Sequence, residues 1–206
     1  SETVIATSRR DGFEWSQTYS RGQATSKLKK GSPSRNYGTT VYFKPDPQIF
    51  PKIEFNSKWI TEQAESKSFL NKGLKITVQE NGKTHTFQYP EGIKDYIRKI
   101  VAGRKCLLEE SIYIEKDDGH LKLETAFLWT SDTETTLHAY ANSIKTTDGG
   151  SHETGFRNGI TRAMRAYIER RNLLPKGITS VTSDDVKEGL VAIINVYLSG
   201  EVEFQG

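Results

Sequence analysis

Three features of the sequence lead to the expectation of an α+β fold. Short stretches of alternating polar and apolar residues, among them ETVIATSRR and KTHTFQY, have the period of half-buried strands. Asp11-Gly12 and Asn81-Gly82 stand between such stretches, where a two-residue hairpin turn needs them. A few other stretches carry helical spacing instead, most clearly Ile93, Tyr96, Ile97 and Ile100 at i, i+3, i+4 and i+7.

Taken in order, the first 45 residues read as strands ETVIATSRR, FEWSQTYS and TTVYFKP around the Asp11-Gly12 turn. The polar stretch Gln23 to Asn36 reads as a solvated loop. Pro45 and Pro47 end the third strand, and Asn56 or Ser57 caps a helix that runs to about Leu70, with Trp59, Ile60, Gln63, Ala64 and Lys67 near helical spacing. Asn71, Lys72 and Gly73 stop it. LKITVQE and KTHTFQY then form a hairpin about Asn81-Gly82. Composition shifts at Pro90, Glu91 and Gly92, which predicts a domain boundary near residue 91.

The second part opens on a helix from Ile93 to about Val101, followed by strands SIYIEKD, HLKLETAFLWT and TTLHAYANSIKT. An Asp148-Gly149-Gly150 turn leads into a helix from about His152 to Leu174, with Phe156, Ile160, Ala163, Met164 and Tyr167 on its buried face and Pro175 and Gly177 closing it. A capped turn over Ser183 to Glu188 precedes the buried strand GLVAIINVYL.

Composition limits the function classes. With 29 Lys and Arg against 26 Asp and Glu, the net charge of +3 is too small and too interspersed to identify a polyanion partner. The single cysteine, Cys106, excludes an internal disulfide or a cysteine metal cluster, fits a reducing cytoplasm, and reads as a packing residue. The longest apolar run, Leu190 to Leu198, is interrupted by Asn195 and is shorter than the roughly 20 residues that span a bilayer. No charged-then-apolar leader opens the chain, and without an initiator Met it reads as a piece of something longer.

The residues build no catalytic constellation and no metal site. His85, His120, His138 and His152 have no ligand spacing, and Asp117-Asp118 and Asp184-Asp185 read as turn and cap residues. The one dense basic feature is the helix carrying Arg157, Arg162, Arg165, Arg170 and Arg171. Arg170 and Arg171 suit the negative helix C-terminus, whereas Arg157 lies early, where a cation opposes the dipole, and so stands out as a functional cation. Lys27, Lys29, Lys30 and Arg35 in the polar loop are open to phosphate contact, but a charged solvated loop is the favoured reading.

In order along the chain, SETVIATSRRDG, GTTVYFKPD, EFNSKWITEQAESKSFLNKGLKITVQE, DGGSHETGFRNGITRAM and SDDVKEGLVAIINV resemble the ATPase half of type IIA DNA topoisomerases, the gyrase B and topoisomerase IV B family. The resemblance covers essentially the whole chain. It implies the C-terminal part of a GHKL-type ATPase sandwich over residues 1–90, then over 91–206 an incomplete transducer domain, a mixed sheet packed on helices in a ribosomal-protein-like βαβ fold. Thr39, next to Gly38, matches a threonine on the adenine side of the nucleotide site. Arg10 matches an arginine at the rim where aminocoumarins dock, and Arg157 one lining the cavity through which duplex DNA passes.

The cofactors so implied are ATP and Mg²⁺ in the parent protein. The partners are a gyrase A-type or topoisomerase IV A-type subunit, double-stranded DNA and a second copy of the parent protein. The family's catalytic glutamate, magnesium-binding asparagine, adenine-binding aspartate and glycine-rich lid match nothing in the chain, nor does its transducer lysine in a Gln-Thr-Lys loop. The chain alone is therefore expected to be monomeric and unable to hydrolyse ATP. A DNA-contacting module using Arg157 and the loop from Lys27 to Arg35, or an interaction domain inert in isolation, remain as alternatives.

Overall fold

The computed structural model describes residues 1–174 and 176–200, and the chain divides into two compact units, Ser1–Asn56 and Ser57–Gly206. In the first, β1 (Thr3–Arg10) pairs antiparallel with β2 (Phe13–Ser20) on one side and β5 (Gly38–Lys44) on the other, while β3 (Gln23–Ala24) and β4 (Lys29–Pro33) both pair with β2. The stretch from Gln23 to Asn36 is thus not only a loop. It folds back on β2, with Lys30 opposite Trp15 and its ammonium 3.4 Å from the Phe13 ring centroid. The lysine stem covers the aromatic surface and the charge meets the ring face, which composition alone does not reveal.

Register places Val4, Ala6, Ser8 and Arg10 on the same face as Phe13, Trp15, Thr39, Val41 and Phe43. No residue of these five strands is buried, and Val41 and Phe43 are 60% and 50% exposed. The one buried side chain of the unit is Asp46, which takes the Gln48 amide at 3.0 Å and Nε of Arg21 at 2.6 Å.

The second unit holds α1 (Ser57–Leu70), a hairpin of β6 (Ile76–Glu80) and β7 (Lys83–Phe87), and α2 (Ile93–Ile100). A five-stranded mixed sheet follows, ordered β11-β10-β12-β9-β8, from β8 (Ile112–Asp117), β9 (Leu121–Trp129), β10 (Thr136–Ala141), β11 (Ile144–Lys145) and β12 (Leu190–Leu198). β10 and β12 are parallel, and the chain between them supplies α3 (Ser151–Arg171) and α4 (Ser183–Lys187), so β10-α3-α4-β12 is a βαβ crossover. One sheet face, with Ala126, Leu128, Tyr140, Val191 and Ile193, packs on Leu70, Ile93 and Ile97. The other, with Phe127, Leu190 and Ala192, packs on Phe156, Ile160 and Met164 of α3 and Val186 of α4.

The compact units divide at Asn56/Ser57, whereas composition shifts near residue 91. Packing is the reason. The Phe69 ring stacks on Tyr89 at 3.6 Å and on Tyr96 at 4.6 Å, and Leu70 enters the core beside α2. Tyr197 donates to the Leu70 carbonyl at 2.8 Å. Burial, and then the accepting Glu65 carboxylate, push the Tyr89 hydroxyl up to about 12, so it stays a donor at neutral pH.

Three local expectations are corrected. TTLHAYANSIKT is a hairpin, not one strand, because Asn142 and Ser143 both take positive φ (49° and 61°), as a type I′ turn requires. α3 ends where Asn172 adopts the left-handed conformation at φ 51°, so Gly177 does not close it, and Pro175 lies outside the described residues. Ala163 and Tyr167 are exposed, the latter under Arg171, which leaves Phe156, Ile160 and Met164 as the packed stripe. Cys106 packs against the core as expected, and Asp185 completes a capping box with Thr182.

Gly189 takes φ +70°, and a Cβ there lies 2.3 Å from the Thr130 carbonyl oxygen and 2.7 Å from that of Asp132. Gly189→Ala is expected to cost about 3 kcal/mol or more and to lower Tm by roughly 6–12 °C in a thermal melt. The Gln48 amide and then the Arg21 guanidinium hold the Asp46 carboxyl below its ordinary value. Its contribution is therefore complete above the unfolded-state pKa, about 3.9, and is lost as pH falls through the lower folded-state value. Asp46→Asn is expected to destabilise the chain at pH 7, with the gap to the wild type closing below about pH 4 in paired melts.

Candidate functional site

Two places hold the residues singled out from sequence, one in each unit. On the β1/β5 face Thr39 lies directly across from Ser8, and Arg10 sits two residues further along the same face of β1. Gly38, Thr39 and Arg10 are exposed, and Nε of Arg10 is 3.5 Å from Asp11. The neighbouring positions Phe13, Trp15, Val41 and Phe43 make the surroundings apolar, and Lys30 covers Phe13.

This face supplies one hydroxyl and one guanidinium beside a flat apolar surface. Its strand positions carry no carboxylate, and among the described residues no group of three or more His, Cys, Asp or Glu is placed to hold a metal ion. By themselves these residues do not fit ATP or Mg²⁺. They are suited to one wall of a pocket.

The second place is a cleft of about 360 Å³ beside β10 and the start of α3, lined by Leu137, Lys145, Thr146, Thr147, Glu153 and Arg157 among others. The Asp148-Gly149-Gly150 turn delivers α3 to it. Thr146 anchors the approach, its hydroxyl donating to the Ala139 carbonyl at 3.1 Å and lying 3.1 Å from Nε2 of His152. The His152 imidazole packs so closely over Gly150 that a Cβ there lies 2.7 Å from its Cε1. Burial lowers the His152 pKa, against an opposing pull from Glu153.

Arg157 is not a bare cation. Its Nε and Nη2 donate to the same Glu153 carboxylate oxygen at 3.0 Å and 2.8 Å. The early position of Arg157 in the helix thus has a structural partner that dipole reasoning overlooks. The i, i+4 spacing of Glu153 and Arg157 is the sequence signal for it.

The other arginines of α3 separate from Arg157. Arg162 and Arg165 face a second groove, about 480 Å³, with Asn158, Thr161 and Ser183. Nε of Arg165 donates to the Val181 carbonyl at 2.7 Å. Arg170 and Arg171 occupy the last turn, where the dipole favours them. His85 and His120 are exposed, whereas His138 is half-buried, its Nδ1 lacks a partner, and burial followed by the nearby Lys145 lowers its pKa.

Residues 92–206 match the family model described as DNA gyrase B. The DNA gyrase B protein of Thermotoga maritima is 34% identical over 215 residues, covering 100% of this chain and 34% of the relative. That of Clostridium acetobutylicum is 32% identical over 209 residues, covering 100% and 33%. The chain therefore spans about a third of the length of these curated relatives. Among solved structures, the 43K ATPase domain of Thermus thermophilus gyrase B, in complex with an aminocoumarin, aligns with a TM-score of 0.86 at 31% identity, over 98% of this chain and 57% of that one. The topoisomerase IV ATP-binding domain of Francisella tularensis, in complex with a small-molecule inhibitor, aligns with a TM-score of 0.81 at 28% identity, over 100% and 56%.

Gly150→Ala is expected to push the His152 ring outward and break its contact with Thr146. In a histidine NMR titration the pKa of His152 should rise towards its ordinary value of about 6.5. An unchanged titration would show that the ring is not held by the turn.

Proposed function

This chain belongs to the DNA gyrase B family, and we propose that it is the connecting part of the ATPase half of a type IIA topoisomerase. Residues 1–90 form the end of a GHKL ATPase domain and residues 91–206 a transducer. The start of the family match at residue 92 supports that division. Compact packing follows a different line, joining α1 and the β6–β7 hairpin to the transducer sheet.

The observation that carries the reading is the half-exposed β1/β5 face. An apolar sheet face needs a covering layer, and here the same face presents Thr39 and Arg10. The remainder of the ATPase domain is that layer. Thr39 then serves the adenine side of the nucleotide and Arg10 the rim where aminocoumarins dock.

ATP and Mg²⁺ are cofactors of the whole protein. Hydrolysis needs a general base to activate water and a site for Mg²⁺, and the face carries no carboxylate for either role, so this chain alone does not hydrolyse ATP. Its role is relay: nucleotide-driven closure of two copies changes the relative free energy of open and closed arrangements, and a rigid element transmits it to DNA strand passage. The sheet with α3 across one face is such an element. Partners of the whole cytoplasmic protein are a gyrase A-type or topoisomerase IV A-type subunit, duplex DNA and a second copy; the chain alone is monomeric. Among the described residues no helix is long and apolar enough to cross a membrane. Arg157 contacts passing duplex through phosphate attraction, without reading sequence.

Calorimetry of ATP–Mg²⁺ on the 206-residue chain is expected to show no saturable binding up to millimolar nucleotide. Saturation with defined stoichiometry would overturn the assignment of Thr39 and Arg10 to one wall of a divided site.

A further inference from the structure

The reading of Arg157 as a contact for duplex DNA underlies this inference. Glu153 and Arg157 both line the cleft beside β10, and their side chains are only 22% and 32% exposed. Nε and Nη2 of Arg157 are both turned to one oxygen of Glu153, so one of the two edges by which a guanidinium grips an anion is already occupied. Glu153 stands in the first turn of α3, where the helix dipole favours a carboxylate, and Arg157 stands one turn later. Lys145 lines the same cleft, as do the polar residues Thr146 and Thr147.

We propose that Glu153 gates this cleft for phosphate. A phosphodiester oxygen reaches the Nε–Nη2 edge of Arg157 only by displacing the carboxylate, so at that edge one charge-paired partner is exchanged for another. A single i, i+4 pair is weak enough to be exchanged. After the exchange the Glu153 carboxylate remains close to the anion and repels it. The cleft is thereby set for brief contact with phosphate, which suits a duplex that must pass and not be retained. Glu153 acts through Arg157 and is a positioning residue.

The test is salt-dependent binding of a short labelled duplex to the 206-residue chain, read by fluorescence anisotropy between about 50 and 200 mM salt. Glu153→Gln is expected to bind about two- to five-fold tighter, with a slope of log K against log salt steeper by about 0.9. Arg157→Gln is expected to weaken binding and flatten the slope, and in that background Glu153→Gln is expected to gain less than it does beside the native arginine, because only the repulsion is relieved and no donor is freed. A parallel NMR titration with inorganic phosphate follows the Thr146 and Thr147 amides, which should shift at lower phosphate in Glu153→Gln than in the wild type.

The two arms separate the gate from the DNA reading. Phosphate binding in the expected order, without duplex binding, removes the DNA contact and leaves the gate. Duplex binding that depends on Arg157 but is not tightened by Glu153→Gln removes the gate and leaves the contact. Failure of every variant to bind either anion overturns both.

Discussion

β12 organises the second unit through its pairing on both edges and its burial on both faces. It runs parallel to β10 and antiparallel to β9, and residues Leu190 to Ile194 are 0% exposed. Its alternate side chains supply two separate cores, Val191 and Ile193 against α2 and Leu190 and Ala192 against α3 and α4. Each fully buried aliphatic side chain contributes about 1.5–3 kcal/mol relative to exposure, so this one strand fixes both helical layers. The tolerance at its entry is correspondingly small. Gly189 approaches the backbone of Thr130 and Asp132 too closely for any side chain.

The position of the cleft follows from that arrangement. α3 lies against the sheet through Phe156, Ile160 and Met164, which turns the Glu153–Arg157 edge of the helix towards β10 and the Arg162–Arg165 edge towards α4. A rigid βαβ unit thus holds both basic edges in fixed places. Thr146 and His152 fasten the start of the helix to the end of the hairpin that delivers it.

Much of the secondary structure is legible in the sequence because it rests on local physics. The Asp11-Gly12 and Asn81-Gly82 hairpins, the buried face of α2 and the capped start of α4 depend on turn chemistry, periodicity and a side chain three residues from its partner. The Asn142-Ser143 turn escapes such a reading because neither residue is a glycine, yet both take positive φ when the flanking strands pair. β4 escapes it because its sequence, KKGSP, has no strand periodicity and is held by pairing with β2. Of the candidate site residues, Thr39 and Arg10 emerge only through family resemblance. No local rule distinguishes a threonine that faces a ligand from one in an ordinary strand.

The family, the α+β class and most of the elements are properties of residue order alone, because motifs, turns and periodicity involve near neighbours. Where the compact units divide, which arginines share a surface and which charge each one meets are set by packing between distant segments. Within the second unit Phe69 ties α1 to α2 by stacking on Tyr89 and Tyr96, and Asn195 is buried between Glu124 and Tyr140, its two strand neighbours from elsewhere in the chain. The Glu153–Arg157 pair belongs to both levels. Its spacing is written in the helix, while the cleft it lines exists only once β10 and α3 are packed on the same sheet.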